Sequence, residues 1–234
     1  MVLSELVQRS PIRIFEQSIH GGLKAGEIGI IASMHGVGKT SVLVQLALDK
    51  LLQGKKVIHV SFTNHTHHVL AWYEDIFNEF ISKKNLEDAA EIKNNLVKNR
   101  VLMNFNQDGM TTNQILNSLR AMIIQGGFKA EAVIVDGLDF NTAGRERITN
   151  VKAFAQELGV AVWYSCSIND DAQKYDKDNI PVLIKDFADI VDVVIVLEPK
   201  TDHVELSISK DRGSVISKSA AMRLDTKTLL ILEK

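Results

Sequence analysis

The feature that most constrains the fold of this chain is a glycine-rich loop between two apolar stretches. The loop reads Ser33-Met34-His35-Gly36-Val37-Gly38-Lys39-Thr40 and follows the short apolar run 28–32. Residues 41–48 have the apolar spacing of a buried helix. A strand, a glycine loop ending in Gly-Lys-Thr and a helix form the context in which such a loop binds phosphate. The sequence therefore predicts a phosphate-binding loop (P-loop) at residues 33–40.

The residue types of this loop match the chemistry of phosphate binding. Glycines allow a tight backbone turn whose N–H groups face an anion, and the start of the following helix adds a partial positive charge. Lys39 would reach the terminal phosphates, and Thr40 would offer a hydroxyl to Mg²⁺. Ser33 stands where glycine is usual, at a position where a small residue is acceptable. The predicted nucleotide-binding residues are Ser33, His35, Gly36, Val37, Gly38, Lys39, Thr40 and Ser41. The alternative is a strand-to-helix turn with an incidental Lys-Thr pair.

A second part of the same site is predicted at Asp136, which ends the apolar run 131–136. A carboxylate in that position is typical of the Walker B strand, where it holds Mg²⁺ together with the P-loop hydroxyl. The predicted metal ligands are therefore Thr40 and Asp136, with Asp139 a weaker candidate. Ser165 and Ser167 are candidates for sensing the terminal phosphate. The competing interpretation is an ordinary aspartate at a strand-to-loop junction.

The order of elements predicts an α/β fold. Apolar strands at 56–62, 101–105, 131–136, 160–167 and 191–197 alternate with helical stretches, which favours a mostly parallel sheet with helices on both faces. Short connections between the last strands, 205–209, 221–224 and 229–232, predict a C-terminal antiparallel extension. Parallel sheets bind ligands beyond the carboxyl ends of their strands. With no linker or repeat in view, residues 1–234 are predicted to form a single domain.

Composition narrows the function classes. The chain has 234 residues, 45% hydrophobic and 24% charged, with a formal net charge of −2. This balance gives no support to a nucleic-acid partner, although a local basic stripe remains compatible with it. The single cysteine, Cys166, fits a reducing compartment. The chain has neither a signal-peptide pattern nor an apolar run long enough for a membrane helix, so we expect a cytoplasmic protein without membrane contact.

Several of these segments together resemble a known family. The segment 21–27 runs into the P-loop, Asp136 follows after the intervening strands, and Ser209-Lys210-Asp211-Arg212-Gly213-Ser214 follows the apolar segment 189–197. This order resembles the RecA superfamily of P-loop ATPases over about residues 15–215. The resemblance is greatest to KaiC-like proteins and to the motor domain of DnaB-type helicases. It implies a RecA-like P-loop fold that binds ATP and Mg²⁺.

The resemblance also implies a role for two cations near the C-terminus. Lys210 and Arg212 would insert into the nucleotide site of a neighbouring subunit and act there as catalytic residues beside Lys39. The planar guanidinium of arginine suits charge on phosphoryl oxygens. A residue supplied in this way requires a head-to-tail homo-oligomer, a ring or a filament. From the residues alone, the favoured interpretation of Lys-Asp-Arg-Gly is an ordinary charged turn between two strands.

One departure from the family pattern bears on catalysis. Relatives carry a glutamate after the second strand that polarises the attacking water, and this chain has Thr63-Asn64 there. We therefore expect nucleotide binding with weak ATP hydrolysis. A second hypothesis is a non-hydrolysing, nucleotide-dependent switch or scaffold that signals to a protein partner of unknown identity. A third, which the charge balance does not support, is a DNA-associated helicase or recombinase-type motor.

The stretch after the second strand contains histidines and aromatic residues. Closely spaced imidazoles can ligate Zn²⁺, but neither cysteine nor carboxylate stands beside this group, so a polar loop is favoured over a metal site. The histidines are His65, His67 and His68. The aromatic residues Trp72, Tyr73, Phe77 and Phe80 have helical spacing, and we expect them to lie in the core instead of stacking on a base.

Overall fold

The computed structural model describes residues 7, 10–62, 66–84, 89–106, 109–168 and 174–233. The strands are β1 (Ile28–Met34), β2 (Lys56–Ser61), β3 (Arg100–Asn104), β4 (Ala130–Asp136), β5 (Ala161–Ile168), β6 (Val193–Pro199), β7 (His203–Asp211), β8 (Ser214–Asp225) and β9 (Ile231–Glu233). The helices are α1 (Pro11–Ser18), α2 (Lys39–Leu52), α3 (Thr66–Lys84), α4 (Ala89–Lys98), α5 (Thr112–Arg120) and α6 (Arg145–Leu158), with a π-helical turn at Ala121–Gln125 and a 3-10 helix at Val182–Phe187.

The described strands form one mixed sheet in the order β3-β2-β4-β5-β1-β6-β7-β8-β9. The first six strands in this order, β3-β2-β4-β5-β1-β6, run parallel to one another. The remaining strands β7, β8 and β9 continue the sheet antiparallel. The predicted α/β class, with a mostly parallel sheet and a C-terminal antiparallel part, is confirmed. Because β1 lies between β5 and β6, the loop after β1 opens at the centre of the sheet's carboxyl edge.

Helices cover both faces of the sheet, as predicted. Apolar residues of α1, α2, α3 and α4 form one buried cluster with the sheet, and residues of α5, α6 and the 3-10 helix form a second cluster on the other face. The central strands are buried on both sides, which explains why β1, β4 and β5 are almost continuously apolar instead of alternating.

Local signals set the helix ends near the site. Helix α2 begins after Gly38 and ends at Gln53, before Gly54 with φ +74°. Helix α5 begins with a capping box: the Thr111 hydroxyl accepts a hydrogen bond from the Gln114 N–H, and the Gln114 side chain accepts one from the Thr111 N–H. After Arg120, residues 121–125 continue as a π-helical turn.

The C-terminal extension differs from the prediction in detail. Strand β8 spans residues 214–225, whereas the sequence predicted only 221–224, because pairing with β7 extends it through residues that are not strongly apolar. The predicted start of the last strand, residue 229, was wrong, because β9 begins two residues later, at Ile231. Leu229 has φ +56° and Ile231 begins β9. A left-handed leucine cannot continue a strand, so residues 226–230 form a turn.

The described helices were also compared with the dimensions of a lipid bilayer. Among the described residues, no helix has both the length and the apolar composition needed to cross a membrane.

Candidate functional site

The glycine loop, residues 33–40, connects the carboxyl end of β1 to helix α2 at the centre of the sheet edge. Gly36 has φ +76° and Gly38 has φ +116°. L-residues with a Cβ rarely adopt this backbone, so both turns require glycine. Gly38 is the residue before the first helical turn, and no side chain caps that end of α2. The first N–H groups of the helix are therefore available to an anion.

Lys39 folds back over the loop. Its side chain is buried, and its Nζ donates to the carbonyl oxygen of Met34 at 2.8 Å, to that of Ser33 at 3.2 Å and to the Ser33 hydroxyl at 3.3 Å. Burial lowers the pKa of Lys39, and the negative potentials of Cys166 and Asp136 oppose that shift. The loop thus holds a desolvated cation whose partners are neutral oxygens of the loop itself.

Asp136 meets the glycine loop across the sheet. The Thr40 hydroxyl donates to Asp136 Oδ2 at 2.9 Å, and the Ser165 hydroxyl donates to Asp136 Oδ1 at 2.6 Å. Ser165 in turn accepts a hydrogen bond from the Gly137 N–H at 2.9 Å. Ser165 therefore orients Asp136 in this structure, whereas the sequence suggested it as a phosphate sensor. Thr40 and Asp136 form an oxygen pair that a divalent cation could use.

These residues border an open cavity of about 480 Å³. Of the predicted nucleotide-binding residues, His35, Gly36, Gly38, Lys39 and Thr40 line it, together with Asp136, Asp139, Ser165 and Ser167. Ser33 and Ser41 are buried behind the loop, and Val37 packs against the core. Trp72 packs against the core, as predicted, and its partly exposed side also lines the cavity. Its neighbours Tyr73, Phe77 and Phe80 are buried, as predicted.

A further part of the cavity wall comes from the C-terminal extension. Leu229, in the turn 226–230, lines the cavity. Its carbonyl oxygen accepts hydrogen bonds from the Ser41 hydroxyl at 2.6 Å and from Gln45 Nε2 at 2.9 Å. Gln45 Oε1 also accepts from the Ile231 N–H at 2.8 Å. Sequence reasoning missed this contact, because a left-handed leucine leaves no local signal.

Lys210 and Arg212 lie far from the glycine loop. Lys210 lies near the end of β7 and Arg212 in the turn between β7 and β8, beside the amino end of β6, at the edge of the sheet opposite to the cavity. The Lys210 ammonium donates to the carbonyl oxygens of Ala188 and Val191 in the same chain. Within this one chain both cations have structural contacts, and their predicted role in a neighbouring site stays a prediction.

Arg212 clamps the segment that leads into β1. Its guanidinium donates to both carboxylate oxygens of Glu27 at 3.0 Å, to the carbonyl oxygens of Ile19 at 3.1 Å and Gly22 at 2.9 Å, and to Asp211. Residues 19–27 are rich in glycine and turns, and Ile19 and Leu23 anchor them in the core. Arg212 adds side-chain hydrogen bonds that join this segment to the end of β7.

The histidine group does not form a metal site in the described part of the chain. His67 and His68 are exposed at the start of α3. His65, together with Thr63 and Asn64, lies outside the described residues. Among the residues that are described, no group of three or more His, Cys, Asp or Glu side chains is placed to hold a metal ion.

A buried histidine lies on β2, two residues before the sheet edge. His59 is fully buried, and its Nδ1 is 3.1 Å from the Tyr73 hydroxyl, while Nε2 has no hydrogen-bond partner among the described residues. Arg100 lies over the Tyr73 ring at 4.1 Å. Burial lowers the pKa of His59 to about 4. The charge of Asp136 opposes this shift, and the charge of Arg100 adds to it.

His59 is expected to make the protein less stable in mild acid. Between pH 6.5 and about 4 the unfolded chain binds a proton at this histidine and the folded chain does not. The free energy of unfolding should therefore fall by up to about 1.4 kcal/mol per pH unit as the pH drops through this window. Urea unfolding at several pH values should show this slope for the native protein and a smaller slope for His59→Gln. The exposed His67→Gln should keep the native slope, and an unchanged slope in His59→Gln would contradict the assignment.

Comparison with models of known protein families gave no match, and comparison with curated protein sequences gave none either.

Proposed function

We propose that the chain is a RecA-like, KaiC-like P-loop protein that binds Mg·ATP and hydrolyses it weakly. The observation that carries this proposal is the meeting of Thr40 with Asp136, 96 residues apart in sequence, beside buried Lys39 in one cavity. Strand, glycine loop and uncapped helix on one side and a carboxylate-tipped strand on the other are the two halves of a Mg-nucleotide site.

The charges of the loop support binding of phosphate. Within the part of the chain that the structure describes, the hydrogen-bond acceptors of the Lys39 ammonium are neutral oxygens of Ser33 and Met34. Phosphate oxygens would replace these neutral acceptors with charged ones, and such hydrogen bonds are about twice as strong. The first N–H groups of helix α2, after Gly38, carry a partial positive charge and would also donate hydrogen bonds to phosphate. A cavity of about 480 Å³ has room for a nucleotide, since ligand pockets range from about 300 to 1,000 Å³.

The oxygen pair also fits Mg²⁺. Mg²⁺ prefers oxygen ligands and commonly uses one or two protein groups, with water and phosphate oxygens for the rest. Thr40 Oγ1 and Asp136 Oδ2 are 2.9 Å apart, and Ser165 holds the other carboxylate oxygen. The bound metal would neutralise charge on the phosphate oxygens.

Weak hydrolysis is inferred from the sequence, because Thr63 and Asn64 stand where the family that the chain resembles carries its water-activating glutamate. The carboxylates around the cavity are the other candidates for that role. Among the described lining residues, these are Asp136 and Asp139. Asp136 accepts from two hydroxyls, and Asp139 Oδ1 accepts from the N–H and Nδ2 of Asn141. A water-activating base needs a carboxylate with an open lone pair near the terminal phosphate.

The alternative function, a nucleotide-dependent switch that does not hydrolyse ATP, has the same binding site and differs only in phosphate release.

Assembly into a ring or filament belongs to the same proposal. The glycine loop lies at one edge of the sheet, and Lys210 and Arg212 lie at the other. A head-to-tail interface joins two different faces of the chain, so this placement is compatible with a residue supplied by a neighbour. Light scattering after size-exclusion chromatography, with and without Mg·ATP, measures the assembly state. A monomer under both conditions would contradict a role in trans.

Replacing Asp136 by Asn should remove most of the effect of Mg²⁺ on ATP binding. Asn keeps the shape, but its single amide oxygen accepts from only one of the two hydroxyls of Thr40 and Ser165, its amide nitrogen has to donate to the other, and the charge that attracts the cation is lost. Calorimetric titration with Mg²⁺ and with a chelator should show roughly tenfold tighter binding with Mg²⁺ in the native protein, about 1.4 kcal/mol, and a much smaller difference in the variant.

Asp139→Asn is the matched control, because Asp139 lines the same cavity. It should retain the native dependence of ATP binding on Mg²⁺. If Asp139→Asn loses this dependence and Asp136→Asn keeps it, the metal is held by Asp139 and the assignment to Asp136 is wrong. Phosphate release, measured in the same samples, separates the two functions: release above background indicates an ATPase, and binding without release indicates a switch.

A further inference from the structure

The turn 226–230 lies on one side of the first turn of helix α2, and the Thr40–Asp136 pair lies on another. Ser41 and Gln45, four residues apart on one helix face, both donate to the Leu229 carbonyl oxygen. Thr40, one residue earlier and about 100° around the helix, points to Asp136. The cavity therefore has a wall that bears the metal ligands and a separate wall formed by the C-terminal turn.

The backbone of this second wall is held in an unfavourable conformation. Leu229 has φ +56°, which is rare for a residue with a branched side chain. Its carbonyl oxygen is fixed by two side chains of α2, and the Leu229 N–H donates to the Asp225 carbonyl oxygen at 2.8 Å. Asp225 Oδ1 also accepts from the N–H groups of Lys227 and Thr228. These bonds hold the turn in one conformation, in which the half-buried Leu229 packs against the core and lines the cavity.

Strand β8, which leads into this turn, contacts the glycine loop through Leu224. A Cβ placed on Gly38 would lie 2.4 Å from Leu224 Cδ2. The last residues of β8 therefore sit directly against the loop that would hold the phosphates. Any ligand that extends from the loop toward the Ser41 face of α2 meets the C-terminal turn first.

We propose that Leu229 is a specificity-determining residue that contacts the nucleoside part of the ligand and so separates nucleotides from inorganic polyphosphate. This proposal rests on the proposed function of the glycine loop. In the proposed site Lys39, Thr40 and Asp136 hold the terminal phosphates and the metal, and Leu229 lines another part of the same cavity, where the nucleoside end of the ligand would lie. An apolar side chain there gains from covering a nucleoside and gains nothing from a bare phosphate chain.

The test compares Mg·ATP with inorganic triphosphate by calorimetric titration in three proteins: native, Leu229→Asn and Val215→Asn. Asn adopts the left-handed backbone at lower cost than Leu, so Leu229→Asn should fold, and thermal unfolding checks this. Val215 is an exposed apolar residue on strand β8, outside the cavity, and is the matched control.

We expect Leu229→Asn to weaken ATP binding by roughly tenfold and to leave triphosphate binding within about twofold of native. Val215→Asn should change neither affinity. Equal loss of ATP and triphosphate affinity in Leu229→Asn would overturn the proposal, because the turn would then act only by supporting the loop. Unchanged ATP affinity in that variant would also overturn it while leaving the proposed function intact. If the native protein binds neither ligand, the proposed function fails, and this proposal fails with it.

Discussion

Replacing Lys39 by Met is expected to weaken Mg·ATP binding by roughly 100-fold, about 2.7 kcal/mol, and to leave the fold intact. The Lys39 ammonium is buried under the loop and reaches only oxygens of Ser33 and Met34. A charge-assisted hydrogen bond to phosphate contributes about 1.5–3 kcal/mol, and the loss of one or two such bonds accounts for the effect. Met retains the apolar stem that fills the space behind the loop.

The stability of the Lys39→Met protein should stay within about 1 kcal/mol of native, because the lost hydrogen bonds are offset by relief from burying a charge. Calorimetry measures the affinity, and thermal unfolding measures the stability. Lys55→Met is a matched control, since Lys55 pairs with Glu131 on the surface, away from the cavity. It should bind ATP as the native protein does. Native affinity in Lys39→Met would mean that the glycine loop does not hold the phosphates.

Replacing Arg212 by Ala is expected to destabilise the protein by about 3 kcal/mol. The guanidinium, with a quarter of its side chain exposed, joins Glu27 and Asp211 to the carbonyl oxygens of Ile19 and Gly22. Its removal would leave the Glu27 carboxylate without its cation and two carbonyl oxygens without donors, and breaking a largely buried ion pair costs about 3–5 kcal/mol. Partial exposure places the expected value at the low end of this range.

Arg145→Ala is the matched control for Arg212→Ala. Arg145 also binds a carboxylate through two nitrogens, that of Asp189, but both side chains are more than half exposed. Urea unfolding should therefore show little change in Arg145→Ala and a large one in Arg212→Ala. If Arg212→Ala unfolds like the native protein and instead loses phosphate release or assembly, the arginine acts on a neighbouring subunit.

Much of the sheet and one side of the cavity could be predicted from the sequence because their signals are local. The apolar run before Ser33, the glycines at 36 and 38 and the apolar spacing after Thr40 specify a strand, a turn and a helix within a short stretch. Asp136 was predicted at the cavity because the carboxyl ends of parallel strands meet at one edge. The helix ends at Gly54 and Gly159 likewise follow from glycines that adopt positive φ.

The other side of the cavity could not be predicted. The contact of Leu229 with Ser41 joins residues 188 apart in sequence and depends on where the antiparallel hairpin returns to α2. Trp72 faces the cavity although the aromatic residues around it are core, because helix spacing alone does not say where the core ends. Arg212 could be assigned a partner only once β7 was paired with β6.

The sequence by itself thus determined the α/β class, the glycine loop and the placement of Asp136 at the same edge of the sheet. Each of these follows from hydrophobic period and backbone preference over a few residues. Only the tertiary structure decided that Leu229 walls the cavity and that Arg212 clamps residues 19–27. The physical reason is that both contacts depend on strand order and register, which arise from the packing of the whole chain and leave no local pattern.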